Sequence, residues 1–291
     1  MECQFEVFIN DISLFKVMGE ITKNGGGINN NNDINQLLLT SGTHEVKVRI
    51  YPKYGLTVFD EYTPNIGLEF SYFKNRDLRT KQYNEAMKGS NGIELSSFDQ
   101  QWIDEKGIYG EPGYVEAHYE SKLPIKFDGL PFYEWRSTFE AEVPFDLVGW
   151  RNSVNLKKEQ EEEKKNIQGE LYEEYKKIYQ IIKNRDVTAY LLLVKEREEL
   201  ITTVLYYKEN EKKLRSDEFV KFIQNTDYEV EPLFEETFQL EFQGYGKLVM
   251  LLHKADGEGI IRLKNKKDPD DTIYLDFRFQ RKKKGDRLIV I

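Results

Sequence analysis

Apolar and polar residues alternate through much of the first half of the chain. The spacing changes near residue 152 to a three-to-four-residue rhythm and returns to alternation near residue 228. Strand side chains point to opposite faces in turn, whereas a helix brings a side chain back to one face about every 3.6 residues. The pattern therefore predicts strands, then helices, then strands again.

Residues 4–9 (QFEVFI) read as a strand. From His44 to Tyr51 the alternation is strict. Val46, Val48 and Ile50 share one face and Lys47, Arg49 and Tyr51 the other, as expected of a half-buried strand in an antiparallel sheet. Further strands are expected at 66–73, 113–119 and 136–143, with a short helix around 77–88. The low-complexity stretch 24–35 (NGGGINNNNDIN) lacks apolar groups and reads as a loop. Short strands punctuated by Pro and Gly predict an antiparallel β-sandwich domain over residues 1–151.

The run Asn155–Lys165 is almost purely charged and reads as either a flexible linker or a solvated first stretch of helix, with its mixed signs and Glu-to-Lys spacing favouring helix. Ile167, Leu171, Tyr175, Ile178 and Ile182 then mark a helix. Asp186 caps a second, which carries Val187, Tyr190, Leu191, Val194, Ile201, Val204 and Leu205 on one face. A third is expected at 217–225, capped by Ser216. After residue 228, alternation through Phe238–Gln243, Lys247–Lys254, Gly259–Asn265 and Ile273–Phe279 predicts a meander of about five strands. Asp256-Gly257 supplies one hairpin turn. The fold class is thus α+β, with helices covering a curved antiparallel sheet over 152–291.

Charge is distributed unevenly. Residues 1–150 carry 14 Lys and Arg against 23 Asp and Glu, which accounts for the whole net charge of −9. An acidic domain repels phosphate backbones and steers basic surfaces toward itself, so the expected partner is a basic protein and not nucleic acid. No apolar run is long enough to span a membrane. Cys3 is the only cysteine and MECQFEVFIN has no signal-peptide pattern, which fits a cytoplasmic setting. The alternative is a periplasmic or surface lipoprotein, because Cys3 stands where a first mature residue could stand.

Candidate chemistry is sparse. His44, His118 and His253 are far apart in sequence, and no metal-ligand spacing occurs, so no metal or other cofactor is expected. His44 reads as a turn residue and His253 as a strand-face residue. Gly244-Tyr245-Gly246 reads as a tight turn, Asp268–Asp271 as a solvated turn, and the basic cluster Arg281–Lys284 as a wet hairpin tip. No nucleophile elbow is present. The chain is therefore read as non-catalytic. Two aromatic groups stand out as candidate binding residues: Phe132, Tyr133 and Trp135 in a loop after Gly129, and the pair Tyr206-Tyr207.

The element order carried by LYEEYKKIYQIIKNRDVTAYLLL, DEFVKFIQ and the strands from Phe238 resembles the NTF2-like family. That resemblance implies a cone of bent sheet around helices. In its enzymatic members it also implies an Asp or His with a Tyr inside the cone, although no position here matches those residues. The first half resembles bacterial immunoglobulin-like sandwiches. In general character the chain is similar to bacterial immunity proteins that block a toxin by binding it. The expected function is a protein-binding module of that kind. A small-molecule-binding or enzymatic NTF2-like cavity is the alternative.

Overall fold

The computed structural model describes residues 3–23, 30, 32–60, 129, 131–268 and 270–291, with the backbone of 67–69, 71–72, 85–86, 92–94 and 100–101. The chain divides into two compact units, Met1–Pro144 and Phe145–Ile291. The composition change near residue 152 therefore falls inside the second unit. The protein is α+β with antiparallel sheets. Among the described residues, no helix is long and apolar enough to cross a membrane.

In the first unit, β1 (Gln4–Ile9), β2 (Ile12–Val17), β3 (Gly42–Tyr51) and β4 (Tyr133–Ala141) form a sheet in the order β2-β1-β3-β4, with Gln100–Gln101 on the far side of β4. Asn10 and Asp11 both have positive φ (50° and 62°), so they turn β1 into β2 as a two-residue hairpin. Val46, Val48 and Ile50 are fully buried, as the alternation requires. The opposite face departs from expectation, because Lys47 is also buried, at 3% exposure. Its ammonium binds Asp11 at 2.6 Å and lies 4.1 Å from the centre of the Phe8 ring. Beside it the fully buried Glu134 accepts from Arg49 and Arg136. A buried carboxylate needs such charged donors to offset its lost hydration.

His44 is not a turn residue. It lies within β3, buried, with Nδ1 facing the Asn10 amide at 2.9 Å and Nε2 on the Thr40 carbonyl at 3.0 Å. Most of the 24–35 loop, the 77–88 helix apart from Glu85–Ala86, the 113–119 strand and His118 lie outside the described residues. Glu85–Ala86 is strand, paired with Ser71–Tyr72.

In the second unit, α1 (Leu156–Glu161) is separate from α2 (Ile167–Lys183), and α3 (Val187–Val204) and α4 (Glu209–Gln224) follow. The charged run is therefore not one solvated helical stretch. Asn155 and Asn166 cap α1 and α2 in turn, and Lys164 takes a positive φ of 57° between them. Asp186 caps α3 as expected, accepting from the Ala189 amide. Helix α4 begins eight residues earlier than its expected start, so Ser216 is interior to it and not a cap. The Glu211 carboxylate instead accepts from the Lys208 amide at the true start.

The strands that follow form two sheets among the described residues, not one meander. β5 (Tyr228–Val230), β8 (Ile261–Asn265) and β9 (Thr272–Leu275) pair in the order β5-β8-β9. β6 (Phe238–Gln243), β7 (Leu248–His253), β10 (Phe279–Gln280) and β11 (Ile289–Val290) pair in the order β6-β7-β10-β11. Asp256-Gly257 does make a turn, closed by the His253 amide on the Glu258 carbonyl and by the Leu252–Gly259 bridge, but β7 and β8 then part into different sheets. The tight turn Gly244–Gly246 docks on the start of α1. A Cβ at Gly246, whose φ is +84°, would meet Asn155 Oδ1 at 2.7 Å. The core joins α2 to both sheets through Leu171, Tyr175, Ile178 and Ile182 packed on Val249, Leu251, Leu263, Phe277 and Phe279.

Arg281 corrects the reading of a wet basic tip. It is 2% exposed and donates to Glu159, itself buried, and to Glu170. Lys165 adds a second cation to Glu159.

Candidate binding groove

The C-terminal end of α2 stops at a polar turn whose geometry opens a groove in the second unit. Arg185 has a positive φ of 54°. Its guanidinium donates to the carbonyls of Ile223 (2.9 Å), Asn225 (2.6 Å) and Tyr228 (3.0 Å). The first two lie at the end of α4, where carbonyls lack helical partners and a cation is favoured. One side chain thus ties the ends of two helices to β5.

The groove that this arrangement frames has a volume of about 580 Å³. Ile182, Ile223, Val230 and Leu263 make its apolar floor, and all four are buried. Its rim is charged. The exposed Lys183 ammonium stacks on the Tyr179 ring at 5.4 Å, and Lys264 binds Glu231 at 2.7 Å. The Tyr228 hydroxyl donates to Asp271 at 2.5 Å. That hydrogen bond holds the tyrosine above and the aspartate below their ordinary ionisation ranges. Asp271 is therefore a structural acceptor, while Asp268 accepts from the Asp270 amide within the same turn.

The main chain of β5 completes the groove. Glu231 donates to Arg262 and Lys266 donates to Asp227, so the odd-numbered residues face β8. Tyr228 and Val230 consequently turn their amides and carbonyls to the outer edge. Arg185 occupies the Tyr228 carbonyl, whereas the Val230 amide and carbonyl have no partner among the described residues. Pro232 follows, as is usual beside an outer strand.

The residues singled out from sequence divide between the units. Phe132 is half-buried, 6.0 Å from the Tyr51 ring and beneath Arg49. Tyr133 and Trp135 belong to β4 and not to a loop, and their side chains lie outside the described residues. Tyr206 is exposed at the end of α3 with φ 56°, its ring 6.4 Å from Phe145. Tyr207 is half-buried. Sequence reasoning missed Lys183, Arg185 and Val230. The Asn-Arg-Asp break between two helical patterns and the Pro after YEVE were the available signals. Among the described residues no group of three or more His, Cys, Asp or Glu side chains could hold a metal ion.

Comparison of the chain with protein-family models, curated proteins and solved structures finds no match.

Proposed function

We propose that this chain acts by binding another protein, with an extended segment of the partner lying in the groove beside β5. The observation that carries this reading is the unpartnered Val230 amide and carbonyl above an apolar floor. A strand edge of that kind accepts a peptide through main-chain hydrogen bonds, and the pocket beneath receives a side chain. The acidic excess of residues 1–150 supports a partner with a basic surface, attracted over a distance set by ionic strength. An immunity protein that neutralises a toxin is the concrete form of this proposal, and an NTF2-like origin for the second unit is part of it. The alternative of a ligand inside the cone has less support, because Tyr175, Phe277, Phe279 and Leu251 pack the space between α2 and the sheets.

The test is affinity purification of the full chain from its native host at low salt, beside Lys183→Glu. Lys183 is exposed, so its replacement leaves the core intact. The expected result is a protein partner recovered by the parent chain and depleted with the variant. Recovery of no partner, or equal recovery by both, rejects the proposal.

A further inference from the structure

The longest outer strand of the second unit is β6, and its sequence is complementary to itself. The ladder from Phe238–His253 to Gln243–Leu248 has no register shift. Lys254 donates to the Thr237 carbonyl, so Thr237, Gln239 and Glu241 face β7 with their main-chain groups. Phe238, Leu240 and Phe242 face outward. The Phe238 amide is bound by Glu235. The Phe238 carbonyl and the amides and carbonyls of Leu240 and Phe242 have no partner among the described residues. Proteins normally guard such an edge with proline, a bulge or charge, and β6 has no proline and no bulge and carries a single charge, Glu241.

We propose that β6 pairs with β6 of a second copy of this chain, antiparallel about a two-fold axis through Leu240. In that register each Leu240 amide bonds the other Leu240 carbonyl. Each Phe242 amide bonds the other chain's Phe238 carbonyl, the group that Glu235 leaves open. Phe238 stands opposite Phe242, and Gln239 stands opposite Glu241, an amide against a carboxylate. Moving the axis to residue 241 would set the two Glu241 side chains against each other, so charge selects the Leu240 register. A two-fold contact of one patch with itself closes at the dimer.

The other outer strands of this unit fit a second copy less well. β5 has its Tyr228 carbonyl taken by Arg185 and Pro232 beside it. Pairing β9 with itself through Thr272 and Tyr274 would bring Asp276 against Asp270. β11 is only two residues long.

Sedimentation equilibrium of the full chain at low salt tests the proposal, using the parent, Gln239→Glu and Gln239→Glu/Glu241→Lys. Gln239 is exposed, so its replacement leaves the core untouched. The parent is expected to show a concentration-dependent dimer. Gln239→Glu places two like-charged pairs across the seam and raises the dissociation constant about tenfold, and the double change converts both into opposite-charge pairs and restores it. A parent chain that stays monomeric at every concentration overturns the proposal. So does a dimer that is indifferent to Gln239→Glu, or one that the double change fails to restore.

Discussion

The Tyr175 hydroxyl donates to the Phe277 carbonyl at 2.9 Å. The same oxygen accepts from the Leu251 amide at 3.3 Å. Phe277 lies between β9 of one sheet and β10 of the other, and Leu251 lies in β7 beyond the short β7–β10 ladder. A single buried side chain on α2 therefore satisfies the main chain where the two sheets separate. Without it, a donor and an acceptor would be left dry inside the core.

Replacing Tyr175 by Phe is expected to lower unfolding stability by about 1–3 kcal/mol, because both backbone groups lose their partner while the ring packing persists. Urea denaturation measures this. Burial raises the ionisation of this tyrosine above its ordinary value. The unfolded chain therefore releases the proton first, and the stability this group contributes is present below about pH 10 and lost as pH rises further. The parent should accordingly lose more stability between neutral pH and about pH 11 than Tyr175→Phe does.

Arg281→Met should destabilise the protein by about 3 kcal/mol, since it leaves the buried Glu159 carboxylate with Lys165 as its remaining cation. Changing Glu159→Met as well removes the stranded charge, and the pair should be closer to the parent than Arg281→Met alone. A double-mutant cycle by chemical denaturation reads the coupling, and additive losses would refute it.

Acid should weaken the first unit through His44, whose burial holds its imidazole below the ordinary value. Nδ1 already accepts from Asn10, so a proton there would oppose a donor with a donor. The unfolded ring takes its proton first, as pH falls through about 6.5, so the stability is present above that value and lost below it. His44→Gln does not titrate. Comparing thermal midpoints at about pH 7.5 and 5.5, the parent should lose more than the variant. Equal losses would place the acid sensitivity elsewhere.

Arg185→Met should cost about 2 kcal/mol and loosen the ends of α2 and α4 together, because three carbonyls lose one charged donor. Hydrogen exchange should accelerate at the amides near Ile223 and Tyr228 and remain unchanged in the middle of β7.

The rhythm of apolar residues was enough to place α2 and α3, because one face of each is buried and few breakers interrupt it. The same reasoning could not separate α1 from α2. NLKKEQEEEKK favours helix throughout, and the break depends on Lys164 adopting a left-handed backbone. Nor could alternation show that Lys47 is buried. It assigns faces, whereas covering the second face depends on Asp11 and Phe8 from a neighbouring hairpin. The Asp256-Gly257 turn was visible, but the parting of β7 and β8 was not, since strand pairing is chosen by distant segments. The groove was equally hidden. Its floor comes from α2, α4, β5 and β8, and no local pattern joins them.

Glu159 and Arg281 stand 122 positions apart. At a ribosome's pace of about 5–20 residues per second, the carboxylate is incorporated roughly 6–25 s before its guanidinium exists. Throughout that interval α1 has no complete burial site, so docking of this segment must follow translation of the far end of the unit and cannot proceed in step with it.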